Sequence, residues 1–206
     1  TTPYTFNWSN GESNDTIRDL STGYYTVTVT DSNSCTITDS TYVDYYVDKV
    51  DICIVTVDTA TGKNLIVWDK ETGLNLNYYK IYKQSHTGSF NFLTAVHYDS
   101  LSLCLDGTSY PETKADRYLV TAVDTCGNES EAGDFHKTLH LNVSPSTQGN
   151  GYALTWDHYW GFDFNTYRIY RGTSKNNLSV IDSIPFNIST YTYTDNTASQ
   201  DTGYYY

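Results

Sequence analysis

The feature that most constrains the fold of this chain is an internal repeat. Residues 64–69 match residues 152–157, and residues 79–83 match residues 167–171. Both pairs of motifs have the same spacing, because Trp68 to Trp156 and Tyr82 to Tyr170 each span 88 positions. This spacing is close to the length of a small β-sandwich, which is typically about 100 residues. The repeat therefore predicts two copies of one domain in tandem.

Composition and alternation favour strands in both copies. The chain has 21 Tyr and 16% aromatic residues, and these side chains suit the half-buried surface of a sheet. No segment shows the apolar periodicity of an amphipathic helix. We therefore predict an all-β, elongated, multidomain fragment of tandem β-sandwiches. Trp68 and Trp156 are expected on the second strand of each copy and in its core, rather than as exposed sugar-stacking platforms.

Three units follow from the repeat and its flanks. Residues 1–47 read as a hairpin-rich partial repeat, residues 48–141 as a complete sandwich, and residues 142–206 as a second sandwich. The final residues, 203–206, occupy the position of the sixth strand. We therefore expect the second sandwich to be cut short there, and the chain to be an internal or processed fragment.

The charge of the chain limits its partners. It carries 24 Asp and Glu against 12 Lys and Arg, a formal net charge of −12. Nucleic-acid binding relies on clustered basic residues, so it is excluded as a function class, and an anionic membrane surface is disfavoured. No apolar run approaches the roughly 20 residues that span a bilayer, so no membrane insertion is expected.

Two parts of the chain resemble modules of large surface proteins. Residues 2–11 and 20–31, followed by Cys35, are similar to the SprB repeat of Bacteroidetes gliding-motility adhesins. Residues 123–130 and 167–172 resemble the fibronectin-type-III-like modules of type IX secretion substrates. The resemblance implies immunoglobulin/fibronectin-III-like sandwiches in a secreted, cell-surface protein. Its segment here would be non-catalytic and adhesive or structural, with neighbouring modules of the same parent chain as partners.

Four cysteines allow three pairings. In the fibronectin-type sandwich that the resemblance implies, the start of the first strand and the end of the sixth lie at one pole, which favours a Cys53–Cys126 disulfide. Such a bridge stabilises a domain by about 2–4 kcal/mol. A Cys35–Cys53 bridge is the alternative, and Cys104 is expected to be a free thiol in the core.

Asp-Ser and Asp-Thr triplets recur along the chain and resemble the O-glycosylation signal of exported Bacteroidetes proteins. In a chain this rich in Asp, Ser and Thr, such triplets also arise by chance. The candidate sites are Thr16, Ser40, Thr59, Ser100 and Ser183.

No motif for catalysis or for a cofactor is present, so the chain is not expected to be an enzyme. His136 and His140 would share one face of a strand, but a third zinc ligand is missing. Calcium could bridge Asp44, Asp48 and Asp51, although no ligand loop surrounds them. Neither alternative is strong enough to predict a metal site.

The most unusual surface element is the aromatic segment 158–164, between the second and third strands of the second sandwich. Its aromatics could pack against the preceding domain, or they could contact a surface glycan or a partner protein. The latter reading makes a carbohydrate-binding accessory region of a secreted polysaccharide-degrading enzyme the alternative function. The candidate contact residues are Tyr159, Trp160, Phe162 and Phe164.

Overall fold

The computed structural model describes residues 4–44, 46–70, 75–147, 149–186 and 191–206. All regular secondary structure in these ranges is β-strand, so the described part of the chain is all-β, as predicted. None of these residues forms a helix that is long and apolar enough to cross a membrane. Thr2 and Pro3, which begin the SprB-like motif, lie outside the described residues.

The first three strands form a small antiparallel sheet with the order β1-β2-β3. They are β1 (Thr5–Trp8), β2 (Gly23–Thr30) and β3 (Thr36–Val43). None of the described residues from 4 to 44 is buried, and Tyr24 and Ile37 are 78% and 71% exposed. A sheet of this size needs a second layer to cover its apolar face, and none covers it among the described residues.

The next seven strands build a sandwich of two sheets, with orders β4-β5-β8 and β10-β9-β6-β7. The bounds are β4 (Ile52–Asp58), β5 (Lys63–Trp68), β6 (Leu76–Gln84), β7 (Phe90–His97), β8 (Leu103–Asp106), β9 (Arg117–Asp124) and β10 (His136–Lys137). All pairings within both sheets are antiparallel.

Alternation along the strands determines the core of this sandwich. On β5, Ile66 and Trp68 point inward and are 0% and 2% exposed. Tyr79 and Ile81 on β6 face them from the other sheet, and both are buried. Each such apolar side chain contributes about 1.5–3 kcal/mol through its removal from water. Trp68 therefore occupies the core, as the sequence predicted.

The second sandwich repeats this arrangement with five strands in sheets β11-β12-β15 and β13-β14. The bounds are β11 (Leu141–Pro145), β12 (Tyr152–Trp156), β13 (Thr166–Ser174), β14 (Asn177–Pro185) and β15 (Thr192–Asp195). Trp156, Tyr167 and Ile169 are buried together, as predicted. Tyr205 bridges to Gly172 of β13, the position expected for the sixth strand.

The segment that joins the two sandwiches differs from the sequence prediction that His136 and His140 lie on one strand. Strand β10 ends at Lys137. The Thr138 N–H still donates to the Asp116 carbonyl at 2.9 Å, but the Asp116 N–H donates to the Thr138 hydroxyl at 2.8 Å in place of the Thr138 carbonyl. The side chain of Thr138 thus replaces a backbone acceptor where the chain leaves the sheet. His136 stays buried in the first sandwich, whereas His140 lies in the link with Nε2 3.1 Å from the Glu112 carbonyl oxygen. The two histidines therefore do not share a strand face.

Candidate functional site

The aromatic segment 158–164 joins β12 to β13 and packs against the first sandwich. The Lys137 N–H donates to the Trp160 carbonyl at 2.7 Å, and the Trp160 N–H donates to the Lys137 carbonyl at 3.3 Å. Trp160 therefore extends the sheet of the first sandwich by one position beyond β10. Backbone pairing of this kind holds the loop of one domain to the edge of another.

Tyr159 inserts into the first sandwich beside this backbone pair. Its side chain is buried, and its hydroxyl oxygen accepts the Val55 N–H at 3.2 Å. The same hydroxyl lies 2.9 Å from Nδ1 of His136. Because the oxygen accepts from Val55, the phenol proton is free to donate to Nδ1 of a neutral His136. Burial lowers the pKa of His136 and outweighs the raising effects of Asp134 and Asp51, which agrees with a neutral ring.

Gly161 is required for the close approach of the two sandwiches. Its φ is +149°, and a Cβ at this position would lie 2.3 Å from Cγ of His136. Any other residue would have to displace the buried imidazole ring or the loop backbone. The lack of a side chain at Gly161 thus allows Tyr159 to reach His136 and Val55.

The four predicted contact residues divide into two pairs. Tyr159 is buried, and Phe164 packs against the core of the second sandwich. Trp160 and Phe162 remain 54% and 45% exposed. The indole of Trp160 stacks on Phe135 with ring centroids 6.2 Å apart and an interplanar angle of 17°. The segment therefore packs against the preceding sandwich and keeps an aromatic surface at its rim.

A cleft of about 490 Å³ opens beside this aromatic surface, with walls from both sandwiches. Three of the 12 Lys and Arg residues of the chain line it, together with two histidines. Only two carboxylates are among its lining residues, although the chain as a whole is strongly acidic. The charged and histidine residues of the cleft are Lys114, Arg117, Lys137, His86, His140, Asp116 and Asp157.

A buried cluster of cation, carboxylate and tyrosine is repeated in both sandwiches. In the first, Asp106 accepts from Lys83 Nζ at 2.7 Å and from the Tyr118 hydroxyl at 2.6 Å. In the second, Asp195 accepts from Arg171 at 2.6 Å and from the Tyr206 hydroxyl at 2.9 Å. The cation and the tyrosine recur at the repeat spacing of 88. Lys83 and Arg171 end the matched motifs, whereas the match of Tyr118 with Tyr206 is a signal that the sequence analysis did not use.

Both clusters hold their carboxylates in the ionised form. Burial would raise the pKa of Asp106, but hydrogen bonds from Lys83, Thr108 and Tyr118 outweigh it and lower that pKa. The pKa of Asp195 is lowered in the same way, against the effect of burial, by Thr197, Tyr206 and Arg171. A carboxylate saturated with donors is a structural anchor rather than a proton donor.

In this structure Cys53, Cys126, Cys35 and Cys104 are all free, and the Cys53–Cys126 disulfide stays a prediction. A register shift in β4 next to Cys53 turns its side chain to the surface, where Sγ donates to Asp69 at 3.0 Å. Local burial and then the hydrogen bond to Asp69 raise the pKa of the Cys53 thiol to about 11, so it is not a reactive thiolate. Cys104 is buried in the core, as expected.

The remaining candidates keep the status of predictions. All five proposed glycosylation residues are exposed, with Ser40 on β3, Ser183 on β14 and the other three, Thr16, Thr59 and Ser100, outside strands. Among the described ranges, no group of three or more His, Cys, Asp or Glu is placed to hold a metal ion.

Comparison with known proteins yields no family assignment. No family model matches the sequence, and no curated protein matches it. The chain is similar to a crystal structure of the FN1–FN3 domains of chicken CNTN1, with 11% identity, coverage of 98% of this chain and 82% of that chain, and a TM-score of 0.36.

A second solved structure is a tetra-tandem repeat from the extending region of a large adhesion protein. It has 13% identity and a TM-score of 0.32, and the match covers 93% of this chain and 56% of that chain. At such identities and TM-scores, neither likeness carries an argument about function. The tandem β-sandwich architecture rests on the sheets described above.

Proposed function

We propose that the chain is a non-catalytic structural and adhesive segment of a larger surface protein. The observation that carries this proposal is the backbone pairing of Trp160 with Lys137, which joins the loop of one sandwich to the sheet of the other. Tyr159 adds a buried side chain across the same junction. Such a junction restricts the angle between the two sandwiches. A segment that holds a ligand-binding domain away from the cell surface needs this stiffness.

The finer identity of the parent protein is part of the same proposal. The SprB-like residues 20–31 and the fibronectin-type-III-like residues 167–172 support a secreted, cell-surface protein of the Bacteroidetes type IX class. The exposure of the Asp-Ser and Asp-Thr sites is compatible with glycosylation of such a protein. Mass spectrometry of the native protein would test this assignment, and hexose additions on those peptides are the expected result.

NMR relaxation of backbone amides tests whether the junction restricts the relative motion of the two sandwiches. If the proposal is correct, residues 52–137 and 141–206 tumble with one common correlation time. Tyr159→Phe removes the acceptor of the buried Val55 N–H, at a cost of about 1–3 kcal/mol, and should give the two sandwiches different correlation times.

Tyr170→Phe is the matched control, because Tyr170 is a half-exposed tyrosine on β13 whose backbone pairs with β14 of the same sandwich. Independent tumbling of the two sandwiches in the unmodified chain would contradict the proposal.

The second candidate function is carbohydrate binding as an accessory region of a polysaccharide-degrading enzyme. The observation that favours it is the 54% exposure of Trp160, whose indole ring stacks on Phe135. Glycan binding that is lost in Trp160→Ala would support this function, and unchanged binding would count against it.

A further inference from the structure

Three side chains stand in a row across one face of the first sandwich at the junction. Arg117 of β9 lies opposite Lys137 of β10, and Lys137 lies opposite Trp160. Residues directly opposite each other in antiparallel strands project from the same face, with Cβ atoms about 4.5–5.5 Å apart. Phe135 precedes Lys137 by two residues and shares that face. The row therefore joins two cations to a stacked aromatic pair.

Arg117 is unusual in a chain this acidic. Its NH1 group donates to the neutral Gln84 side chain at 2.8 Å, and its guanidinium lies 5.2 Å from the centre of the Phe135 ring. Among the described residues, no carboxylate forms an ion pair with it. Its remaining donors are available to an external anion.

The other cations of the adjacent cleft are already shared with carboxylates. Lys137 lies 3.3 Å from Asp157, and Lys114 lies 3.3 Å from Asp116. Asp116 is also held by Lys83 at 2.8 Å, so its charge is already compensated. An incoming anion would consequently meet Arg117 as its principal partner, with Lys137 beside it.

We propose that this row and its cleft bind an acidic saccharide, a sugar ring that bears a carboxylate or a sulfate group. The apolar face of the ring would pack on the exposed indole of Trp160, because aromatic surfaces accept such faces while their edges stay hydrated. The anionic group would accept from Arg117, whose planar guanidinium offers paired donors to oxyanions. This site does not depend on the structural role proposed above, and it names a ligand class for the second candidate function.

Titration calorimetry with defined tetramers tests the proposal on the full chain. The acidic probes are a galacturonic acid tetramer and a sulfated galactose tetramer, which separate the carboxylate from the sulfate source. Their neutral counterparts are the methyl-esterified and the unsulfated tetramers. At least one acidic probe should bind at one site per chain, and its neutral counterpart should bind about tenfold or more weakly.

Two variants assign the binding to the row. Arg117→Gln and Trp160→Ala should each weaken the acidic probe by about tenfold or more. Arg168→Gln removes an exposed arginine from β13 and is the matched control that should bind unchanged. Arg117 is itself exposed, so its variant remains informative even if Trp160→Ala disturbs the junction.

The outcomes separate the possibilities. Failure of both acidic probes to bind, or equal binding by Arg117→Gln, would overturn the inference. Equal binding of neutral and acidic tetramers would also overturn it, while leaving carbohydrate binding itself in place. Equal binding of a single-stranded oligonucleotide of matched charge would show general anion attraction instead of recognition of a sugar. The common tumbling of the sandwiches is unaffected by any of these results.

Discussion

At the scale of single residues, the repeated cluster shows how a sandwich retains a buried charge. Asp106 has a fully buried side chain, yet it receives donors from Lys83, Tyr118 and Thr108. Buried ion pairs contribute little net stability, but the loss of one partner is costly because the other charge is left uncompensated. The same arrangement around Asp195 indicates that the same kind of cluster is used in both copies of the repeat.

This cluster predicts how stability depends on acid. A carboxylate with a lowered pKa contributes stability above its unfolded value of 3.8, and this contribution is lost as the pH falls through the lower folded value. Asp106→Asn should reduce the free energy of unfolding at pH 7 by about 3–5 kcal/mol. It should also flatten the fall in stability below pH 3.8, as measured by urea unfolding across pH.

Asp99→Asn, at a side chain that is 85% exposed, serves as the comparison and should leave both quantities unchanged. An Asp106→Asn variant that keeps the acid dependence of the original chain would show that other groups cause it.

At the scale of elements, the junction is made by a loop that behaves as an extra strand segment. Trp160 pairs with β10 through its backbone, and the neighbouring Tyr159 and Gly161 fit around His136. An edge strand exposes unpaired backbone groups that can accept a new strand, and here the next module uses this edge. The short β10 thus marks the contact between domains.

The tight fit at Gly161 predicts a specific loss. Gly161→Ala places a Cβ against the His136 ring, and overpacking of this kind costs about 1–3 kcal/mol. We expect the two sandwiches to unfold separately in this variant, as measured by scanning calorimetry. Gly149→Ala is the matched control, since Gly149 has a φ of +134° with open space around it. Equal effects of both substitutions would indicate backbone strain alone and would contradict the role of the contact with His136.

At the scale of the whole molecule, the three-stranded sheet near the N-terminus and the first sandwich differ in how they are packed. The sheet β1-β2-β3 has no buried residue among residues 4–44, whereas the first sandwich already buries Val47 and Val50. We therefore propose that the boundary between the first two units lies just before Val47. The preceding sheet is expected to depend on further modules for its cover.

Removal of residues 1–44 tests this boundary. The unfolding free energy of the remaining chain should be unchanged, because none of the described residues from 4 to 44 is buried. Removal of residues 1–50 also deletes Val47 and Val50, which are 4% and 0% exposed, and should cost about 3 kcal/mol or more. Chemical unfolding of both shortened chains gives the comparison. A large loss of unfolding free energy on removal of residues 1–44 would place the boundary earlier in the chain.

The internal repeat and the strand periodicity were enough to predict the all-β architecture, the two sandwich cores and the burial of Trp68 and Trp156. These features depend on local alternation and on a repeated pattern, both of which are visible along one chain. The aromatic segment could also be singled out, because such a cluster of large side chains is rare in a loop.

Only the tertiary structure decided what that segment contacts and where the cysteines point. The fit of Tyr159 to His136 and Val55 joins residues that are far apart in the chain, so no local pattern encodes it. The exposure of Cys53 depends on a register shift in β4, which alternation cannot predict because one extra residue reverses the face of every residue beyond it. The row of Arg117, Lys137 and Trp160 likewise arises only when two domains share one sheet, since each residue lies on a separate segment.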